Sequence, residues 1–465
     1  MIHSYAPRLT STMAGAGFLI FCCLLSGFVC GGDAGRSLVN EQNCHEVIKN
    51  SNLSLEINHC EAHFGGSFDI QNTNKSASFE NWRFKGRIVG TTINQLHFKY
   101  HHHRWTANYN LPTGNYKASI YLRYTDFHVT YFEDEKLELE PLTNLNILQL
   151  QVSVPTTTRC GPGISHLPAS WTGTNASTVP GHLSSFKIED NEFEDLTYLP
   201  HGCLIDPIED LTYWARGQNG TTSPPIICLF GDSQTRHLSN ALHEVIWGKH
   251  NFFHNPSSDG NPPGNSLSIR YMKTGMSNNA SNYEFIDSGA FEGTKSQLEQ
   301  WNCSFILLNF GQWQISWAMG KHPETISKYR SSVNMALLNA ITARSSAQLF
   351  WLTTHAHGEM SVSLIYFPPV SYTYIVSNWV LHLNILQLYK NPPAEWRNEV
   401  FLTEYNAAAS DEAHKLNVPV IDIYNVASAL SDLSYDGAHY KLPVERETAH
   451  VVLHSLRNHS WGFTQ

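Results

Sequence analysis

At 465 residues the chain is too long for one ordinary core, so two domains are the starting expectation. A hydrophobic fraction of 42% with 12% aromatics argues for packed globular structure and against disorder. A net charge of −10 with no long run of Lys or Arg speaks against a nucleic-acid partner.

The first feature in chain order is an apolar stretch at 13–29, with Arg8 before it and Cys30-Gly31-Gly32 after it. Its length lies between a signal-peptide core and a membrane span of about 20 residues. Cleavage near Gly31 and retention as an uncleaved anchor both fit, so residues 1–35 are read as a signal peptide or signal anchor. Either way the rest of the chain enters the secretory pathway, with membrane contact only through this segment if it is uncleaved. Seven Asn-x-Ser/Thr sequons, at Asn52, Asn74, Asn175, Asn219, Asn279, Asn302 and Asn458, agree with that compartment as candidate glycosylation sites. Of nine Cys, Cys22, Cys23 and Cys30 belong to the leader. Cys44, Cys60, Cys160, Cys203, Cys228 and Cys303 remain, an even number in an oxidising compartment. Cys160 with Cys203 is the favoured pair because both flank one loop-rich segment. Cys228 falls inside an apolar run and reads as a small buried hydrophobe. No Cys-x-x-Cys or His-Glu-x-x-His is present, so no metal site is expected.

Residues 33–60 are polar and read as irregular. Over 60–155 the period is two. Tyr116, Ala118, Ile120, Leu122 and Tyr124 alternate with Lys117, Ser119, Tyr121 and Arg123 after a Leu-Pro-Thr-Gly-Asn turn. Further strands are expected at 95–100, 127–132 and 146–154. Short strands with frequent turns predict a β-sandwich, and Gly-Asn-Tyr-x-Ala-x-Ile-x-Leu looks like an immunoglobulin-like strand. His101-His102-His103 cannot all bind one metal from a strand without a bulge, because neighbouring side chains point to opposite faces. An exposed strand or loop is the simpler reading, with sugar contact through Trp105 as the alternative. Residues 156–225, rich in Gly, Pro, Ser and Thr, read as a connector pinned by a disulfide. Its Trp171, Tyr213 and Trp214 are placed to cover the following domain by packing.

From 226 onward strands alternate with helical patterns, which predicts a doubly wound α/β domain with a parallel sheet over 226–465. Strands are expected at 226–230, 305–309, 348–352 and 418–423. Helices are expected where Ile326, Tyr329, Val333, Leu337 and Ile341 recur, where Phe401, Tyr405, Ala409 and Ala413 recur, and after Pro443. The first strand runs into Gly231-Asp232-Ser233, after which Leu238, Ala241, Leu242, Val245 and Ile246 take up helical spacing. Ser233 therefore sits at a strand-to-helix turn, where free N–H groups can hold an anion. A nucleophilic Ser needs an oriented base, and Asp436-Gly437-Ala438-His439 offers one: the carboxylate orients the imidazole. Helix capping is the plainer use of Ser233, but capping requires no distal Asp-x-x-His.

Gly-Asp-Ser at a strand-helix turn with a late Asp-x-x-His resembles the SGNH (GDSL-type) hydrolases. It is more closely similar to their PC-esterase branch, which includes trichome-birefringence-like polysaccharide O-acetyltransferases, sialic-acid O-acetyltransferase and neurexophilin/PC-esterase-domain proteins. Asn309-Phe-Gly311-Gln-Trp313 looks like that branch's Asn-x-Gly-x-Trp block, 349–357 is similar to its strand ending in His, and Asp436-Gly-Ala-His439-Tyr-x-x-Pro443 matches its last block. The resemblance implies a catalytic Ser233, Asp436 and His439. It implies an oxyanion hole from the Ser233 N–H and Asn309, although a structural turn Asn is an equal reading of Asn309. Gly231, Asp232, Arg236, Trp313 and His357 are candidate substrate contacts, with carboxylate pairing favoured for Arg236. It implies acetyl transfer to a glycan hydroxyl through an acetyl-serine, with no bound cofactor and with acetyl-CoA or an acetylated intermediate as donor. A secreted carbohydrate acetylesterase, or a non-catalytic surface glycoprotein, are the rivals. Members of the family lie in the Golgi lumen as type II anchored proteins or are secreted, and animal relatives place an immunoglobulin-like module ahead of the esterase-like domain.

Overall fold

The computed structural model describes residues 45–50, 53–58, 66–73, 79–124, 143–149, 158–179, 193–218, 223–248, 269–273, 298, 300–312, 314–315, 325–344, 346–356, 399–434, 438–440 and 443–462. The leader, Cys44, Cys60 and the strand expected at 127–132 lie outside them.

Two antiparallel sheets form the amino-terminal part. The first contains β1 (His45–Asn50), β2 (Leu53–Asn58), β3 (Gly66–Asn72), β6 (Lys99–His101) and β7 (Arg104–Tyr109), in the order β1-β2-β3-β7-β6. The second contains β4 (Arg83–Val89), β5 (Thr92–Leu96), β8 (Gly114–Tyr124), β9 (Thr143–Gln149), β10 (Ala169–Thr172) and β11 (Thr197–Pro200), in the order β11-β10-β5-β4-β8-β9. Phe68, Ile70, Trp105 and Ala107 from one sheet meet Phe84, Ile88, Ala118 and Ile120 from the other in a shared core, as a sandwich requires.

Two expectations are corrected here. The segment read as irregular contains the β1–β2 hairpin, whose signal is the alternation of Leu53, Leu55 and Ile57 with Ser54 and Glu56. The segment read as a connector supplies β10 and β11, with β10 paired antiparallel to β5 at Trp171 opposite Ile93. The His run forms the tip of the β6–β7 hairpin, where His102 and His103 have φ of 47° and 61°, the left-handed backbone of a tight turn. Trp105 is buried and its indole N–H donates to the Phe79 carbonyl at 2.9 Å, so it belongs to the sandwich core and not to a sugar platform.

In the second sheet β4 is buried on both faces. Phe84 and Ile88 of β4 face the sandwich core, whereas Lys85 and Arg87, on the opposite face by the pleat, reach the carboxy-terminal part. The Arg87 guanidinium clasps both oxygens of Asp432, and the Lys85 ammonium donates to Ser431 Oγ at 3.1 Å. Trp171 donates from its indole to the Val426 carbonyl at 3.0 Å, which is the packing role expected of it.

The carboxy-terminal part is built on a parallel sheet of β12 (Ile227–Gly231), β13 (Ile269–Lys273), β14 (Phe305–Leu308), β15 (Gln348–Leu352) and β16 (Val420–Ile421), in the order β13-β12-β14-β15-β16. β12 and β14 are buried along their whole length, as unbroken apolar runs predict. Among the described residues the helices include α1 (Ile208–Ala215), α2 (Ser233–Trp247), α3 (Ile326–Ala343), α4 (Glu399–Lys415), α5 (Tyr424–Ser428) and α6 (Val444–Gly462). This is the doubly wound α/β arrangement expected, with β13 and α1 added. The chain steps from β12 to one side and then back past it to β14, so the switch point of the sheet lies at the carboxyl end of β12.

Cys160 is bonded to Cys203, the favoured pair, and Cys228 to Cys303. The second bond corrects the reading of Cys228 as an unpaired hydrophobe: β12 and β14 are neighbours, and the bond ties the approach to β14 onto β12. Among the described residues no helix is long and apolar enough to cross a membrane.

Candidate active site

The position of Ser233 follows from local sequence. Asp232 caps α2, its Oδ1 accepting the Gln234 N–H at 2.9 Å, which starts the helix at Ser233. Gly231 has no room for a Cβ, since one would run into Thr235 and the Asn309 carbonyl at the end of β14. Ser233 Oγ is thereby held at the switch point. Two groups from elsewhere reach it: His439 Nε2 at 2.7 Å, and the Gln312 amide, which donates from Nε2 at 2.9 Å. With the Ser hydroxyl donating to His439 and accepting from Gln312, its proton has a defined receiver.

His439 comes from a segment with little regular structure among its described residues, and other elements fix it. Ser434 Oγ donates to the His439 carbonyl at 2.9 Å. Gln234 donates to the Ala438 carbonyl at 3.0 Å and accepts the His355 N–H at 3.1 Å, stitching the base segment to the chain leaving β15. Tyr440 donates its hydroxyl to the Ala356 carbonyl at 2.6 Å.

Asn309 is placed otherwise than the oxyanion expectation has it. Its Oδ1 accepts from Thr235 Oγ1 at 3.2 Å, and its Nδ2 donates to the Leu352 carbonyl at 3.0 Å and faces Thr354 Oγ1 at 3.4 Å. Its amide thus links the carboxyl ends of β12, β14 and β15, and the alternative of a structural Asn describes it. Among the described residues the amide donor that does reach the Ser233 hydroxyl is Gln312, three residues on. The sequence signal was its place inside the Asn-x-Gly-x-Trp block; Gly311, where a Cβ would strike Thr354, lets the chain turn there.

Burial sets the electrostatics. The Asp232 carboxyl is pushed up to about 6 by desolvation, against the pull of the Gln234 N–H and the charge of His439. His355 is driven down to about 3, first by burial and then by the charges of His237 and His439, so its ring is neutral. Among the described residues its Nε2, like Asp232 Oδ2 and Gln312 Oε1, is buried without a hydrogen-bond partner. Tyr271 donates to the carbonyls of Gly231 and Asp232 at 3.2 and 3.0 Å, bracing the turn from β13. His237 and Glu445 also stand beside His439, and neither was singled out from sequence.

Of the remaining candidates, Arg236 is exposed on α2. Asp436, Trp313 and His357 lie outside the described residues, as do the sequons at Asn52, Asn74, Asn219 and Asn279. Asn302 is exposed at a left-handed turn and Asn175 precedes a short 3-10 turn. Asn458 lies within α6, where its amide donates to the His454 carbonyl at 3.0 Å. Among the described residues no group of His, Cys, Asp and Glu is arranged to hold a metal.

No protein-family model matches the chain, and no curated protein matches it. It is similar to Est24, a carbohydrate acetylesterase from Sinorhizobium meliloti, at 10% identity over 50% of this chain and 98% of that one, with a TM-score of 0.30. It is also similar to the periplasmic domain of a lipopolysaccharide acetyltransferase from Salmonella ser. Paratyphi A, at 10% identity over 54% and 88%, with a TM-score of 0.29. A carbohydrate esterase family 2 enzyme with its carbohydrate binding domain, from Corynascus thermopiles (Myceliophthora fergusii), aligns at 10% identity over 90% of this chain and 99% of that one, with a TM-score of 0.27.

Proposed function

We propose that the chain is a serine-dependent O-acetyltransferase acting on a glycan. The observation that carries this is the 2.7 Å contact between Ser233 Oγ and His439 Nε2 at the switch point of a parallel sheet. Ser233 Oγ attacks the carbonyl carbon of an acetyl donor and passes its proton to His439 Nε2. The oxyanion faces the Ser233 N–H at the start of α2 and the Gln312 amide. Its collapse breaks the bond to the leaving group, which takes the proton from His439, and leaves an acetyl-serine. A sugar hydroxyl then gives its proton to His439 and attacks the acetyl carbon, and the bond to Ser233 Oγ breaks as that oxygen takes the proton back from His439. Asp436, three residues before His439, is assigned as the orienting carboxylate. The glycan acceptor and the acetyl-CoA or acetylated-intermediate donor rest on the motif resemblance, as does a Golgi lumenal or secreted location. Two disulfides among the described residues support a compartment outside the cytosol.

The test is to incubate the full chain with a generic acetyl ester, with Ser233→Ala alongside, and seek an acetyl adduct on the Ser233 peptide by mass spectrometry. An adduct absent from the variant and moved onto an offered glycan faster than it is lost to water is the expected result. Loss only to water makes the chain an acetylesterase. No adduct, no turnover and no fluorophosphonate label on Ser233 would overturn the enzymatic reading in favour of a surface glycoprotein.

A further inference from the structure

His237 lies one helical turn after Ser233 on α2, so the two side chains leave the same face. Its ring lies against His439, with centroids 4.5 Å apart and planes inclined by 27°. On its far side Nδ1 stands 2.9 Å from Glu445 Oε1, both side chains being about nine-tenths buried, at 9% and 10% exposure. Glu445 belongs to the first turn of α6, where the helix's free N–H groups favour a carboxylate. Plain packing would fill this space with an apolar pair. A buried acid bonded to an imidazole that faces the base is instead an electrostatic arrangement.

We propose that His237 and Glu445 are a positioning pair for His439. Glu445 fixes the plane of His237 through its Nδ1–H, and the flat ring of His237 keeps His439 Nε2 on Ser233 Oγ. The negative charge of Glu445 favours the imidazolium that forms when His439 takes the Ser233 proton. The pair itself gives up and receives no proton. This inference rests on the reading of Ser233 and His439 as nucleophile and base.

The groups facing the pair define its pH behaviour. His237 is met by Glu445, by His439 and by His355, whose ring stays neutral; Glu445 is met by His237, by His439 and by Glu244 of α2. Burial raises the Glu445 pKa, with Glu244 adding to the rise and the two imidazoles opposing it. The contribution of its charge is therefore present above that raised pKa and lost as pH falls through it.

The test compares steady-state hydrolysis of p-nitrophenyl acetate by the full chain with that of Glu445→Gln, Glu445→Asp and His237→Phe. Glu445→Gln is expected to lower kcat by about tenfold with KM within about twofold, and Glu445→Asp to recover part of the loss. The ratio of wild-type to Glu445→Gln kcat is expected to shrink toward one as pH falls through the raised Glu445 pKa toward the ordinary carboxylate range, because the wild type loses the charge that the variant lacks. His237→Phe, which keeps a flat ring and breaks the link to Glu445, is the second variant should Glu445→Gln fail to fold, and its expected loss is also in kcat. A ratio independent of pH, or losses confined to KM, would overturn the pairing. Fluorophosphonate labelling separates the two levels. If wild type and variants label Ser233 at equal rates, the pair alone fails; if wild type neither labels nor turns over, the Ser233 reading fails and takes the pair with it.

Discussion

The two halves of the candidate active site are held in place by different means. The nucleophile stands on local structure: a buried strand, a Gly that the next strand requires, an Asp cap and the first residue of a helix all lie within 227–235. The base has no such support of its own. His439 lies between a 3-10 turn, Ser431–Leu433, and α6, outside both, and it is held by Gln234 of α2, by Ser434, by the chain after β15 and, through Asp432, by the β-sandwich. A few residues suffice to place a nucleophile, whereas placing its base takes most of the molecule.

Removing the reacting atom sets the upper end of the scale. Ser233→Ala is expected to lower acetyl-ester turnover by about a thousandfold or more and to abolish fluorophosphonate labelling, with the melting temperature little changed. The support of the base half is broken next by Arg87→Met, which leaves Asp432 as a buried carboxylate without its cation, its side chain 3% exposed. The expected cost is about 3–5 kcal/mol in chemical denaturation, and Arg87→Met with Asp432→Leu should recover most of it, since a buried pair contributes less than its disruption costs. Gln312→Ala tests the donor that joins the halves at Ser233 Oγ: kcat should fall by about a hundredfold with KM nearly unchanged, while Asn309→Ala should mainly lower stability.

The last effect is one of pH, and it is small at any single step of pH. His355, on the seam between the halves, has a folded pKa of about 3 against 6.5 when unfolded. Because the folded value is depressed, the unfolded chain takes up a proton that the fold refuses. Its contribution to stability is full above pH 6.5 and is lost as pH falls toward about 3. Relative to wild type, His355→Gln should flatten the fall in stability over that window by about 1 kcal/mol per pH unit, read from denaturation midpoints at stepped pH. Asp232, raised to about 6, acts with the opposite sign and lessens the total slope in both proteins.

The same contrast explains what was legible in the sequence. The parallel strands, the strand-to-helix turn and Ser233 were readable because each depends on neighbours in the chain: an unbroken apolar run, a change of period, a Gly. The pairing of Ser233 with His439 was readable only through the order of motifs. The supports of the base were not readable. Lys85 and Arg87 alternate with Phe84 and Ile88, a pattern that describes a solvated face until a second domain covers it. Gln312 and Gln234 carry no periodicity, and the partners that define them are 79 and 204 residues away. Asn309 drew attention through its motif, yet its side chain serves the sheet.

β10 and β11 come from the chain between the two domains and complete a sheet whose other strands come from before it. A cut at either end of that segment would leave β5 with an open edge or strip the carboxy-terminal part of the strands covering it. The sandwich is therefore not a cassette that recombination could add or remove at a linker. A change in either part at that sheet has to be accommodated by the other.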